Sequence, residues 1–216
     1  MASVLQVATI KDQGGNANAI EIANSSANVT INNLAGGSIG SAVTGFTGIK
    51  NLDTWYINAA LTGTQSGIPA NKFTRGSASN GMANIGTGMT LATSGSSEAV
   101  FTFPVTGIWK VESQILTSIN GSDRICENNI KVSIAGTGGT FDTRGQGYSH
   151  ITQSQSAHTY QSNYGYCYLD VTTSGNNASS GYAVKFNVYL NNSSTGIGYN
   201  AGGLASAVTF TRIGDT

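Results

Sequence analysis

Apolar and polar positions alternate with a period of two through most of this chain, and the clearest stretch runs from Glu98 to Ile119. Ala99, Phe101 and Phe103 fall on one side of the first part. After a turn at Pro104 to Gly107, Trp109, Val111, Ser113, Ile115, Thr117 and Ile119 alternate with Lys110, Glu112 and Gln114. That pattern predicts two half-buried strands joined by a tight turn. Pro104 suits a strand end because its φ is fixed, and Gly107 can take the positive φ of a reversing chain. Similar runs recur at Asp53 to Leu61, Thr90 to Leu91, Arg124 to Ala135, His158 to Val171, Tyr182 to Leu190 and Leu204 to Ile213. No stretch carries an apolar stripe at helical spacing. The reading is all-β, an antiparallel sandwich or barrel.

The first 34 residues hold shorter alternations, Val4 to Ile10, Ala19 to Ala23 and Val29 to Ile31, separated by GlyGly and Asn/Ser turns. Strands this short bury little alone and need partners from elsewhere. The Gly-rich segment Leu34 to Thr47 has linker composition, so a domain boundary is expected there. Residues 1–47 are expected to form a β segment that attaches or oligomerises, and residues 48–216 the main domain. Long polar spans at Thr62 to Gly88, Gly136 to Gln155, Thr172 to Ser180 and Asn191 to Gly203 read as loops. Loops on a rigid sandwich are where binding tends to reside.

Composition narrows the function. Charged residues are 9% of the chain and the formal net charge is zero, so no Lys/Arg footprint for nucleic acid exists in the sequence. No apolar run approaches the ~20 residues that span a bilayer, so membrane insertion is not expected. Met1 to Ile10 lacks a basic region followed by an apolar core and a small-residue cleavage site, so no signal peptide is expected. With 39% apolar residues and 29 Gly, the surface must be largely hydroxyl, amide and glycine.

Candidate chemistry is sparse, and an enzyme is not expected. His150 and His158 are eight residues apart and need a third ligand, such as Asp142 or Asp170, before they could hold a metal. They read as loop residues, with ligand contact as the alternative, and no metal or other cofactor is expected. Glycoside hydrolysis needs two carboxylates roughly 5–9.5 Å apart, and the only candidates are Glu112 and Asp170 on polar strand faces. Ala135 to Gly139, AGTGG, reads as a turn rather than a phosphate loop because no helix follows it. Cys126 and Cys167 share parity with apolar neighbours and read as buried thiols, or as a cross-strand disulfide. Tyr148, His150, His158 and Tyr160 bring rings and imidazoles to the polar spans and are the candidate receptor contacts.

Tyr164, Tyr166 and Tyr168 alternate with Gly165, Cys167 and Leu169 and so project from one face of one strand. Tyr189 shares its own strand face with Lys185 and Asn187. Tyrosine buries a large ring while its hydroxyl keeps a partner, which suits a subunit interface. Ordinary core and ligand contact are the other two readings of these four residues.

FTFPVTGIWKV, residues 101–111, resembles the aromatic-turn-aromatic signature of C1q/TNF-like jelly rolls. The resemblance implies an antiparallel jelly-roll sandwich that assembles as a trimer, with aromatics of one sheet packed about the three-fold axis. ASVLQVATIKDQGGN, AIEIA and NVTI in the first sixth of the chain are similar to the N-terminal stretch of tail-fibre and other virion proteins of marine phages, especially cyanophages. VTFTRIGDT at the C-terminus looks like the closing strand of those proteins. These likenesses imply a phage tail fibre or fibre tip that binds a host surface glycan or protein by multivalent contact. They also imply localisation to the virion, with assembly in the host cytoplasm. Val4, Leu5, Val7 and Ile10 would then hold the chain to other virion proteins. The alternatives are a capsid decoration or head-fibre protein, and a polysaccharide depolymerase.

Overall fold

The computed structural model describes residues 49–80, 82, 84–93, 98–154, 156–198 and 205–216. All lie within Phe46–Thr216, the second of the two units into which the chain divides. The expectations for residues 1–47, including Val4, Leu5, Val7 and Ile10, lie outside the described residues. Twelve strands are described: β1 (Asn51–Ile57), β2 (Leu61–Thr62), β3 (Phe73–Arg75), β4 (Thr90–Thr93), β5 (Ala99–Thr102), β6 (Gly107–Ile119), β7 (Asp123–Ser133), β8 (Asp142–Ile151), β9 (Thr159–Val171), β10 (Ala183–Leu190), β11 (Gly196–Ile197) and β12 (Ala207–Gly214). Among the described residues the only helical turns are the 3-10 segments Ala70–Lys72 and Ala78–Asn80.

The strands form two antiparallel sheets. In one, β9, β6, β12, β1 and β3 lie side by side, with β11 and β2 continuing beside the far part of β6; in the other the order is β4, β5, β10, β7, β8. The described residues therefore form an antiparallel sandwich, as the alternation predicts, and its jelly-roll form is what the resemblance of residues 101–111 implies. Its core is built from the inward positions of both sheets. Phe101 sits at the centre, with ring centroids 5.4 Å from Trp55, 5.2 Å from Phe73, 5.8 Å from Phe186 and 5.2 Å from Phe210. Each such contact adds to simple area burial.

Two sequence expectations change in the structure. Pro104 to Gly107 does not close a hairpin, because β5 pairs with β4 and β10 while β6 pairs with β9, β11 and β12. The turn instead carries the chain from one sheet to the other, and Phe103 meets the Trp109 ring across the core at 5.2 Å. Gly107 has φ +139, and a side chain there would run into Arg212 and the Gly214 carbonyl. Second, Asp142 to Ile151 is a full strand and not a loop. Its inward positions are Gly145, Gly147 and Ser149 before Ile151 at the end, which leaves no run of apolar alternation to read.

Candidate functional site

On β9 the inward residues Asn163, Gly165, Cys167 and Leu169 are buried, and Tyr164, Tyr166 and Tyr168 point outward. Tyr166 is 52% exposed and its two neighbours similarly so, which removes the core reading for these three. The rings form a ladder with centroid separations of 6.0 Å and 5.8 Å. Strand β6 places Lys110 and Glu112 beside it, opposite Tyr168 and Tyr166 in register. The Tyr164 hydroxyl donates to the Glu112 carboxylate, Lys110 Nζ lies 2.7 Å from the same carboxylate oxygen, and Nζ is 5.8 Å from the Tyr166 ring centre.

These contacts set the local charge. Partial burial opposes ionisation of Glu112, but the hydrogen bonds from Lys110 and Tyr164 outweigh it and hold the carboxyl below its usual range. Glu112 in turn raises the Tyr164 phenol and the Lys110 ammonium. Lys110 and Glu112 therefore neutralise each other, and the exposed carboxylate of Asp170, two positions beyond Tyr168, adds a further anion at the end of the ladder. Across the face, the rows continue through Thr209 and Thr54 beside Glu112, and through Thr211 and Leu52 beside Lys110.

Tyr189 is not part of this ladder. It lies on β10 in the opposite sheet, in register with Glu127 on β7, which is in register with Tyr148 on β8. Alternation reveals which side of a strand a residue occupies, but not which sheet the strand joins. The structure thus separates Tyr189 from Tyr164, Tyr166 and Tyr168, and unites it with the receptor candidate Tyr148.

His150 follows Tyr148 on the outward side of β8, so neither sits on the loop the sequence suggested. Strand β8 ends at Ile151 and β9 begins at Thr159, which brings His150, His158 and Tyr160 to the same end of the sandwich. The His158 and Tyr160 rings are 6.3 Å apart. The same end carries the turns at 120–122 and 191–195, braced by the buried carboxylate of Asp123. Asp123 accepts from the Thr195 hydroxyl at 2.6 Å, from the Asn192 amide at 3.2 Å and from the Ile125 amide at 3.1 Å. Gln153 adds a bond from its amide to the Ser122 hydroxyl at 2.9 Å. These turns therefore present amides and hydroxyls on a fixed frame. Sequence reasoning overlooked Asp123, whose signal was an aspartate directly after the polar turn that follows β6.

The two carboxylates considered for hydrolysis do not face each other. Asp170 is in register with Ile108, four residues along β6 from Glu112, a separation of roughly 13 Å along the strand. Glu112 is besides committed to Lys110 and Tyr164. Among the described residues no group of three His, Cys, Asp or Glu is placed to hold a metal ion. Cys126 and Cys167 are buried free thiols, on strands of different sheets. Burial pushes the Cys167 thiol up to about 11, with Arg144 opposing it weakly.

No protein-family model matches the sequence, and no curated protein does. Solved structures do resemble its fold. Eiger TNF from S. frugiperda is 10% identical with a TM-score of 0.50, over 77% of this chain and 95% of that one. Murine APRIL at pH 5.0 is 11% identical with a TM-score of 0.48, over 75% and 98%. The globular domain of zebrafish complement 1qA protein is 11% identical with a TM-score of 0.43, over 77% and 99%. The likeness to Eiger shows the fold: residues in the Phe46–Thr216 unit form a TNF-like jelly roll.

Proposed function

We propose that this chain is a homotrimeric virion protein, a phage tail fibre or fibre tip, whose jelly-roll head recognises a host cell surface. The observation that carries the assembly is the ladder of Tyr164, Tyr166 and Tyr168 on the outer face of a sheet, with its one ion pair already neutralised. Three large rings standing in water are an odd exposure for a monomer, and Tyr is enriched where surfaces meet. Glu112 and Lys110 keep each other as partners, so covering the ladder strands neither of them, and Asp170 at its end stays at the rim. The TNF-like fold supports the same arrangement. The virion reading rests on the similarity of the first residues to marine phage tail-fibre leaders, with Val4, Leu5, Val7 and Ile10 as the attachment residues.

The direction of the chain supports a recognition role. β1 enters the sandwich at the end where Asn51 pairs with Arg212. Two antiparallel crossings later, β6 ends at Ile119, so the turn at 120–122 and the segment joining β8 to β9 lie at the opposite end. A head held through its N-terminal side presents that opposite end and its flanks outward. Three weak sites per trimer and several fibres per particle then act through effective concentration.

The test is direct. Light scattering on the full chain should give three times the 22.1 kDa chain mass. Labelled protein should adsorb to some members of a panel of marine cyanobacteria, and gold-labelled antibody should mark particles at the tail. A monomer in solution removes the ladder as a homotypic interface. Label spread over the capsid lattice would replace the fibre with a decoration protein, and absence of adsorption to every strain would remove the recognition role.

A further inference from the structure

The outer face of the β4-β5-β10-β7-β8 sheet is unlike the ladder on the other side of the sandwich. Cross-strand register aligns Tyr148, Glu127 and Tyr189 in one row, and Gln146, Asn129 and Asn187 in the next. Two exposed rings therefore flank a carboxylate, beside a row of three amides. Tyr148 is 64% exposed and Tyr189 46%. The Gln146 amide donates to Glu127 Oε1 at 3.0 Å and to Asn129 Oδ1 at 2.8 Å, so the carboxylate and the two amides are held in a fixed arrangement.

We propose that this row is a binding platform for a neutral glycan chain. The proposal rests on the host-recognition reading above and names the ligand class and the residues that take it. Adjacent strands lie about 4.8 Å apart, so rings on β8 and β10, two strands apart, stand roughly 10 Å from each other. That spacing suits two sugar rings of one chain, each laying its apolar face on a tyrosine. The Glu127 carboxylate between them is an acceptor only, and hydroxyls are donors, so a sugar diol finds its partner there. In the next row the exposed Gln146 side chain offers its carbonyl oxygen to a further hydroxyl, while the buried Asn129 holds Gln146 in place.

Charge selects against acidic glycans. Glu127 is the only ionisable carboxylate in either row. The nearby Lys185 is committed to Glu98 at 2.8 Å and Arg144 lies 3.7 Å from Asp142. Lys131, in register with Lys185, lies beyond the amide row, so a polymer laid across the two rings meets the Glu127 anion before any cation. The platform also lies on the opposite sheet from Tyr164, Tyr166 and Tyr168, so an assembly through the ladder leaves it open.

Titration calorimetry on the full chain with cellohexaose, maltohexaose, mannohexaose and chitohexaose, and with a hyaluronan hexasaccharide as the acidic probe, tests the assignment. At least one neutral hexasaccharide should bind. Tyr148→Ala and Tyr189→Ala should each weaken that binding by at least about tenfold. Glu127→Gln should weaken it too, while Ile134→Ser, an exposed change beyond both rows, should leave it intact. Binding of none of the neutral probes, binding of hyaluronan alone, or binding unchanged in both tyrosine variants would overturn the platform. Adsorption to cyanobacterial cells separates the two levels of the argument. If cells bind a chain carrying both Tyr148→Ala and Tyr189→Ala as well as the native chain, the platform is wrong and host recognition stands; if cells bind neither protein, the recognition role itself falls.

Discussion

A Cβ placed on Gly145 would lie 2.6 Å from the carbonyl oxygen of Tyr166, because β8 packs backbone against backbone on β9. Gly147 stands in the same relation to the Tyr164 carbonyl, and a Cβ on Gly165 would lie 3.1 Å from Gln146. These glycines close the sandwich along the edge where β8 of one sheet meets β9 of the other. Gly145→Ala or Gly147→Ala must push the edges apart, at a cost of about 1–3 kcal/mol by the usual measure of overpacking. The melting temperature should fall by roughly 2–4 °C per kcal/mol in a domain of this size. Gly175→Ala is no equivalent comparison, since Gly175 has open space but φ +105. Gly214, with open space and no such φ, is the fitting reference: Gly214→Ala should leave the melting point unchanged.

The same edge explains where the sequence could be read and where it could not. β6 and β10 alternate large apolar residues against polar ones, and β9 alternates tyrosine against smaller residues, so their existence and their faces were legible, including the shared parity of Tyr164, Tyr166 and Tyr168. β8 was not, because a strand lying on another backbone needs glycine inward and offers no hydrophobic period. β2, β3 and β11 are too short to show any period at all. Whether two neighbouring strands pair or face each other is equally invisible to alternation. That ambiguity turned the crossing at Pro104 to Gly107 into an expected hairpin, and it hid that Tyr189 stands on the other sheet from Tyr164, Tyr166 and Tyr168.

Tyr166 is the middle ring of the ladder, with Lys110 over its face. Tyr166→Glu puts a second carboxylate beside Glu112 and a charge where three copies would meet. The variant should lose the trimer mass in light scattering while keeping the far-ultraviolet dichroism of a β protein, since the ring is half exposed and lies against Tyr164, Tyr168 and Lys110 on the outer face. A trimer that survives the change would mean that another surface holds the copies together.

Cys167 makes stability depend on alkaline pH. Its thiol is raised from 9.0 to about 11 by burial, so the folded state holds the proton more tightly than the unfolded chain. The stabilisation is fully present below about pH 9 and is lost as pH rises through about 11. Two pH units correspond to about 3 kcal/mol. Denaturant titrations of native protein and Cys167→Ala should therefore show the native curve falling more steeply across that window. Parallel curves would mean that the thiol contributes nothing to the alkaline loss.

Asp123 is the brace of the far-end turns and should be separable from the fold. Its carboxylate serves three donors: the buried Thr195 hydroxyl and the amides of Ile125 and Asn192. Asp123→Ala strands all three, and a buried donor left without a partner costs about 1–3 kcal/mol. The loss should be concentrated at this end. Amide exchange at Ile125 and Asn192 should accelerate, while the centre of β6, hydrogen-bonded on both sides by β9 and β12, keeps its protection. Asp123→Asn retains one acceptor oxygen and should show a smaller effect in the same places. Acceleration spread evenly over β6 and β12 would instead make Asp123 a determinant of the whole sandwich. If exchange at Ile125 and Asn192 stays at the native rate in Asp123→Ala, the turns are held by Ser122, Gln153 and the backbone rather than by the carboxylate.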